Sequence, residues 1–387
     1  SEYLRRAIEP TWAGVSVNAD TALGTSAVFA CTRVIAEDIG KLPFLVYKQN
    51  GARERERAVM SPFWRLIHDR PNNYQTSQQF REYLTASALL RGNGYALKTY
   101  TNNQVTELLP LHPDNVRAEL TPDWEMVYHV TDNKGKTEKL TRRDVFHLPG
   151  LTIDGPIGVS VVSYARQTIG NALGAARHSG TFFGNGMKPS GTLTHKDKLS
   201  ADAQKRLKEQ LLNNHGGASS NSLLVLEEGM TFAPITMTNT DSQFLESRAF
   251  EVVEICRWFR VPPHKVAELS RATFSNIEHQ AIEHVTDCLM PWGNRWEMGY
   301  NQQIIGTNST FAELLYDALL RGTTLDRYQS YQLAAGGQAP FMSRNEIRKR
   351  ENLSPLPGLD EMLIPGNMTG GQNQQPNQNN QQPPAGG

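Results

Sequence analysis

The chain has 387 residues, enough for two or three structural units and a sizeable core. Lysine plus arginine and aspartate plus glutamate both number 39, and the resulting zero net charge excludes a protein that grips nucleic acid by bulk charge, though not one that encloses it. No long apolar run and no basic–apolar–small leader occurs, so neither a membrane span nor a secretion signal is expected.

Residues 26–40, "SAVFACTRVIAEDIG", have helical periodicity with Val28, Cys31, Ile35 and Ile39 on one face. Leu42–Tyr47 reads as a strand, and Ser77 to Arg91 as a second helix. Gly92-Asn93-Gly94 is a turn, after which Tyr95, Leu97 and Thr99 alternate as a strand. "TNNQ" turns the chain back through "VTELLPLHPDNVRAEL". A further hairpin over 126–148 turns at Asp132-Asn133-Lys134-Gly135. The first ~150 residues are thus mixed helix and antiparallel sheet.

Residues 160–183 form a helix on which Val162, Ala165, Ile169, Leu173 and Ala176 recur, with Gly170, Gly174 and Ala175 small enough to let another helix approach. Residues 190–238 read as a compact insert: a strand and turn at "SGTLTHKDK", a charged helix capped by Ser200 and running to Asn214, and a hairpin around Glu227-Glu228-Gly229. A second long helix, 242–260, spans ~28 Å at 1.5 Å per residue. Leu245, Ala249, Val252, Val253, Cys256 and Phe259 make its apolar stripe, Glu246, Glu254 and Arg257 lie opposite, and Pro262-Pro263 stops it. Two long helices therefore bracket a small α/β insert. Near the end, Ser343 and Glu346 have capping-box spacing. After Pro365 the chain turns to Asn, Gln, Gly and Pro, so residues 367–387 are expected to be disordered.

One stretch invites a catalytic reading: "SNIEHQAIEHVTDCLMPW", residues 275–292. On a helix His279 and Glu283 share one face and His284 and Cys288 another, and the two faces diverge by ~140°. Metal ligands must converge on one point, and H-E-x-x-H is absent. The stretch reads instead as a long helix with a core stripe of Ile277, Ala281, Ile282, Val285, Leu289, Trp292 and Trp296, kinked at Pro291. Cys31, Cys256 and Cys288 form no framework and are expected to be reduced, buried thiols in a cytosolic setting. G-x-x-x-x-G-K-[ST], G-x-G-x-x-G and G-x-S-x-G are all missing. Asp154 reads as a turn residue before Gly155-Pro156 rather than a metal ligand. Arg344, Arg348, Lys349 and Arg350 make a basic run that could touch nucleic acid or simply be a solvated helix face. No metal, no cofactor and no enzymatic activity are expected.

Five stretches together resemble the portal proteins of long-tailed bacteriophages: "PNNYQTSQQFREYLTASALLRGNGYALK", "LLPLHPDNV", "DVFHLPGLTIDGPIGVSVVSYAR", "VPPHKVAELSRATFSNIEHQ" and "MSRNEIRKRENLSPLPG". They keep the family's order over most of residues 20–365, while residues 1–20 carry no resemblance. The resemblance implies an α+β portal-type fold: an α/β wing (1–156), a stem of two helices (157–186 and 241–261), a small α/β clip (187–240), a tunnel-loop region (262–276), a kinked helix with wing return (277–322) and a helical crown (323–366). It implies a ring of about twelve subunits at one capsid vertex, double-stranded DNA in its channel, and partners in the terminase large subunit, the major capsid and scaffold proteins and a head-completion adaptor. The location implied is the virion, and the host cytoplasm during assembly. Ser270, Arg271, Ala272, Thr273, Phe274, Ser275 and Asn276 would form the tunnel loop, with Phe274 either lining the channel or stapling the kinked helix. Lys205, Arg206, Lys208 and Glu209 on the clip helix would dock the terminase. A metal-dependent nuclease is the competing reading; it needs convergent carboxylates that the spacing does not supply.

Overall fold

The computed structural model describes residues 11–50, 54–184, 191–194, 200, 202, 204–206, 231–234, 239–267, 281–307, 309–316, 319, 324–336, 340–351 and 353–363. Two compact units divide the chain, Ser1–Tyr316 and Asp317–Gly387. The fold is mixed α+β, as expected from the sequence.

Helix α1, Ser26–Lys41, buries Val28, Cys31, Ile35 and Ile39 completely, as its periodicity requires. Strand β1, Phe44–Asn50, follows directly, and β2, Glu54–Arg57, returns beside it. Helix α2, Ser77–Arg91, starts with a capping box between Thr76 and Gln79 and ends at Gly92 with φ 87°, a conformation open chiefly to glycine. A Cβ at Gly92 would also lie 2.5 Å from the Gly158 carbonyl oxygen. α1 and α2 pack together, and Arg81, only 4% exposed, ties them by donating to the Gly40 and Leu42 carbonyls at 2.6 and 3.1 Å.

β3, Asn93–Thr101, and β4, Gln104–Leu111, form the expected hairpin, with Asn102 and Asn103 in its turn at φ 52° and 62°. β5, Val116–Leu120, β6, Met126–Thr131, and β7, Thr137–Thr141, form a second antiparallel sheet. The strand that follows, β8, Val145–Pro149, corrects the expected 126–148 hairpin: it leaves that sheet and pairs with β3, making the order β4-β3-β8. Its four leading residues are buried, a run that fits an apolar site between layers rather than a half-exposed hairpin arm. His147 on β8 joins the sheets. Its Nε2 lies 2.8 Å from Asn93 Oδ1, its Nδ1 3.2 Å from the Tyr128 hydroxyl, and its ring stacks on Tyr95 at 4.8 Å. Burial pushes its pKa down to about 3, with Arg142 adding to the effect, so the ring is neutral at physiological pH.

The expected helix 160–183 is broken at Ala165 into a short turn, Val161–Tyr164, and α3, Arg166–Gly184. Strands β11, Gly191–Thr194, and β12, Thr231–Pro234, pair antiparallel within the insert; β9 and β10, Leu151–Thr152 and Gly158–Val159, pair before α3. Helix α4, Asn239–Phe259, packs on α3 and α1. A π-helix, His284–Leu289, runs straight into α5, Met290–Tyr300, whose Trp296 and Tyr300 pack on Phe146, Phe44 and Phe80 in the core. β13, Thr310–Leu314, then returns to pair with β1. In the second unit, α6, Thr324–Gly336, and α7, Arg344–Arg350, lie close enough for Arg327 and the Tyr331 hydroxyl to reach Glu351, each at 2.9 Å. The Ser343–Glu346 capping box forms as expected.

Candidate functional site

The described part of the histidine–cysteine stretch, residues 281–292, belongs to a packing junction. Cys31 on α1 and Cys256 on α4 are buried with their Sγ atoms 3.9 Å apart, and Cys288 Sγ lies 3.9 Å from the Phe259 carbonyl oxygen. None of the three is in a disulfide. The hydrogen bond with Cys256, then burial, pushes the Cys31 thiol up, and burial pushes Cys288 up to about 12. Thiols held in this way are poor ligands and poor nucleophiles. His284, 1% exposed, places Nε2 2.8 Å from Asp38 Oδ2, and Lys41 reaches the same carboxylate. Burial pushes the Asp38 carboxyl up, but hydrogen bonds from His284 and Lys41 outweigh it and leave the pKa below the ordinary value. Among the described residues no group of three or more His, Cys, Asp or Glu side chains could hold a metal ion. His279 and Ile277 lie outside the described residues.

The expected core stripe is corrected at Ile282. Val285, Leu289 and Trp296 are buried and Trp292 is half-buried, but Ile282 is 49% exposed, and His284 and Cys288 are buried in its place. The π-helix is the reason: its i→i+5 pairing puts more residues in each turn, so α-helical phase does not carry through it. Pro291 follows the π-helix inside one continuous helix, where it removes a backbone donor, and Met290 N–H bonds back to the Val285 carbonyl. The irregularity thus sits one turn before the proline.

α3 and α4 run antiparallel, since Trp258 Nε1 near the end of α4 lies 3.3 Å from Thr168 Oγ1 near the start of α3. Thr168 and Asn171 of α3 and Glu246, Phe250, Glu251 and Glu254 of α4 line an acidic groove between them. Phe250 and Trp258 remain 58% and 42% exposed. Ala249, expected in the apolar stripe of α4, is exposed, while Ile255, Cys256 and Phe259 are buried. Gly170 and Gly174 do admit a close neighbour, but it is the segment Thr11–Val15 of the same chain, not another helix.

The tunnel-loop candidates Ser270, Arg271, Ala272, Thr273, Phe274, Ser275 and Asn276 lie outside the described residues, as do Lys208 and Glu209 and residues 367–387. Lys205 and Arg206 are exposed helical residues. Arg344, Lys349 and Arg350 are exposed, but Arg348 is half-buried and its Nε donates to the Ser354 carbonyl at 2.8 Å, so the four do not form one solvated face. Asp154 is exposed in a bend before Gly155 at φ 83°. Asp38, the partner of His284, carried no sequence signal, because the pair is separated by most of the chain.

A family model described as "Phage portal protein" matches residues 26–352. The portal protein of Enterobacteria phage HK97 is 31% identical over 353 residues, covering 89% of this chain and 82% of the phage protein. The probable portal protein of Streptomyces phage phiC31 is 30% identical over 367 residues, covering 90% and 79%. A solved chain from the neck of a native gene transfer agent particle, computed with C12 symmetry, superposes with a TM-score of 0.62 at 22% identity, over 87% of this chain and 94% of that one. The last likeness speaks for the fold alone; the family match and the two phage relatives go further, and the chain belongs to the phage portal protein family.

Proposed function

We propose that the chain assembles as a ring of twelve copies at one capsid vertex and encloses double-stranded DNA as it enters and leaves the head. The observation that carries this is the family match over residues 26–352, supported by likeness to a neck chain of C12 symmetry. In this reading residues 1–156 and 277–322 form the wing, 157–186 and 241–261 the stem, 187–240 the clip and 323–366 the crown. Residues 270–276 form a loop narrowing the channel. The clip docks the terminase large subunit during packaging, and a head-completion adaptor later takes its place. The major capsid and scaffold proteins meet the ring during assembly in the host cytoplasm, and the finished ring resides in the virion.

Physical chemistry favours a conduit over a clamp or an enzyme. Each neutralised phosphate adds salt-dependent affinity, which would stall a motor, and a chain with 39 charges of each sign has no bulk grip to impose. The chain acts as a structural part. Of the candidate ligands in 275–292, His284 and Cys288 are used in packing α1 and α4 against the π-helix. A DNase-protection packaging assay tests the proposal. Heads assembled without this chain should protect no DNA, and adding it during assembly should restore protection. Heads that package equally well without it would overturn the reading.

A further inference from the structure

Trp12 is 89% exposed, yet its backbone is held. Thr11 Oγ1 donates to the Val15 carbonyl at 2.8 Å, Gly14 N–H to the Thr11 carbonyl at 2.8 Å, and Trp12 N–H to Gln167 Oε1 on α3 at 3.1 Å. Thr11 is 4% exposed against α3, where a Cβ on Gly170 would come within 2.6 Å of it. The turn is therefore a fixed mount for a side chain that is left exposed. A pre-ordered aromatic of this kind loses little freedom on binding, and one tryptophan can bury about 150–250 Å².

A matching surface lies on the other helix of the pair. Ser247, Phe250, Glu251, Glu254 and Trp258 recur at helical spacing as one ridge of α4, beside Thr168. Two exposed rings there can take an edge-to-face indole; Arg257 lies over the Phe250 ring and pairs with Glu254, so the Glu251 carboxylate is the one placed to accept the indole N–H. The mount packs on α3 through Gly170 and Gly174, whereas the ridge meets α3 at Thr168, roughly 160° around the helix from Gly170. Knob and ridge thus sit on different flanks of one helix pair, the arrangement a head-to-tail contact needs in order to close a ring. We propose that Trp12 of each subunit seats against the α4 ridge of its ring neighbour. This rests on the ring reading above and adds the contact that joins successive copies. Trp12 is the aromatic anchor of that contact, in the manner of an interface hot spot.

The test places a photoreactive benzophenone amino acid at position 12 of the full chain and irradiates assembled rings. Covalent products should join separate copies and map to residues 246–258. Trp12→Ala should raise the concentration needed for half-assembly about thirtyfold, with the melting temperature of the unassembled chain unchanged. Intact rings whose photoproducts map elsewhere, or intact Trp12→Ala rings at the parent's concentration, would overturn this contact alone. A parent chain that never assembles would overturn the ring reading and this contact together.

Discussion

Asp38 stands between His284 and Lys41 and fastens α1 to the helix that follows the tunnel-loop candidates. A hydrogen bond to a charged group contributes about 1.5–3 kcal/mol, so Asp38→Asn should lower stability by about 1–2 kcal/mol at pH 7. The folded carboxyl titrates below its unfolded value of about 3.9. Its contribution is therefore present above that value and lost as pH falls through the folded pKa. Urea unfolding should show the gap between parent and variant narrowing below pH 4; a gap constant with pH would contradict the assignment. His147 gives a second, separate signature. Its folded pKa of about 3 lies far below the unfolded value of about 6.5, so acid protonates the unfolded state first. Stability should fall between pH 6.5 and 3, by up to about 1.4 kcal/mol per pH unit. His147→Gln should be less stable at pH 7 but show a shallower slope in that window.

At the scale of elements, the side chains that meet at the junction of α1, α4 and the π-helix are buried. A thiol reagent at pH 8 should label none of Cys31, Cys256 and Cys288 in the folded chain and all three after denaturation. Fast labelling of any one in the native state would show that the junction opens. The elements most legible in the sequence were those fixed by local signals. The helix over Ser77–Arg91 kept both expected ends, because a capping box and a left-handed glycine mark them. The Asn102-Asn103 hairpin and the Ser343 cap are of the same kind. What escaped was non-local. Nothing near Val145 announces that β8 will cross to β3, or that β13 will return to β1. Gly170 and Gly174 signalled a close approach but not by which segment. The π-helix shifted the stripe that placed Ile282 inside, and Ala249, placed inside by the stripe on α4, is exposed. For the candidate site, sequence spacing ruled out a convergent metal set from 275–292, yet it could not find Asp38 as the partner that explains a buried His284.

At the scale of the whole molecule, the account predicts separable surfaces. Lys205→Glu with Lys208→Glu on the clip should leave rings intact and weaken packaging several-fold, read by DNase protection at several salt concentrations; unchanged packaging would count against terminase docking there. Phe274→Ala distinguishes a channel-lining loop from a helix staple. As channel lining it should leave the melting temperature near that of the parent and alter DNA retention, whereas loss of a staple would cost roughly 1–3 kcal/mol with normal packaging per ring. Both depend on the ring itself. The most direct test of that claim is electron microscopy of the purified chain together with its particle mass by light scattering. The account predicts rings with an axial hole wide enough for duplex DNA and a mass of twelve chains; a monodisperse monomer at micromolar concentration, or a closed particle with no axial hole, would contradict it.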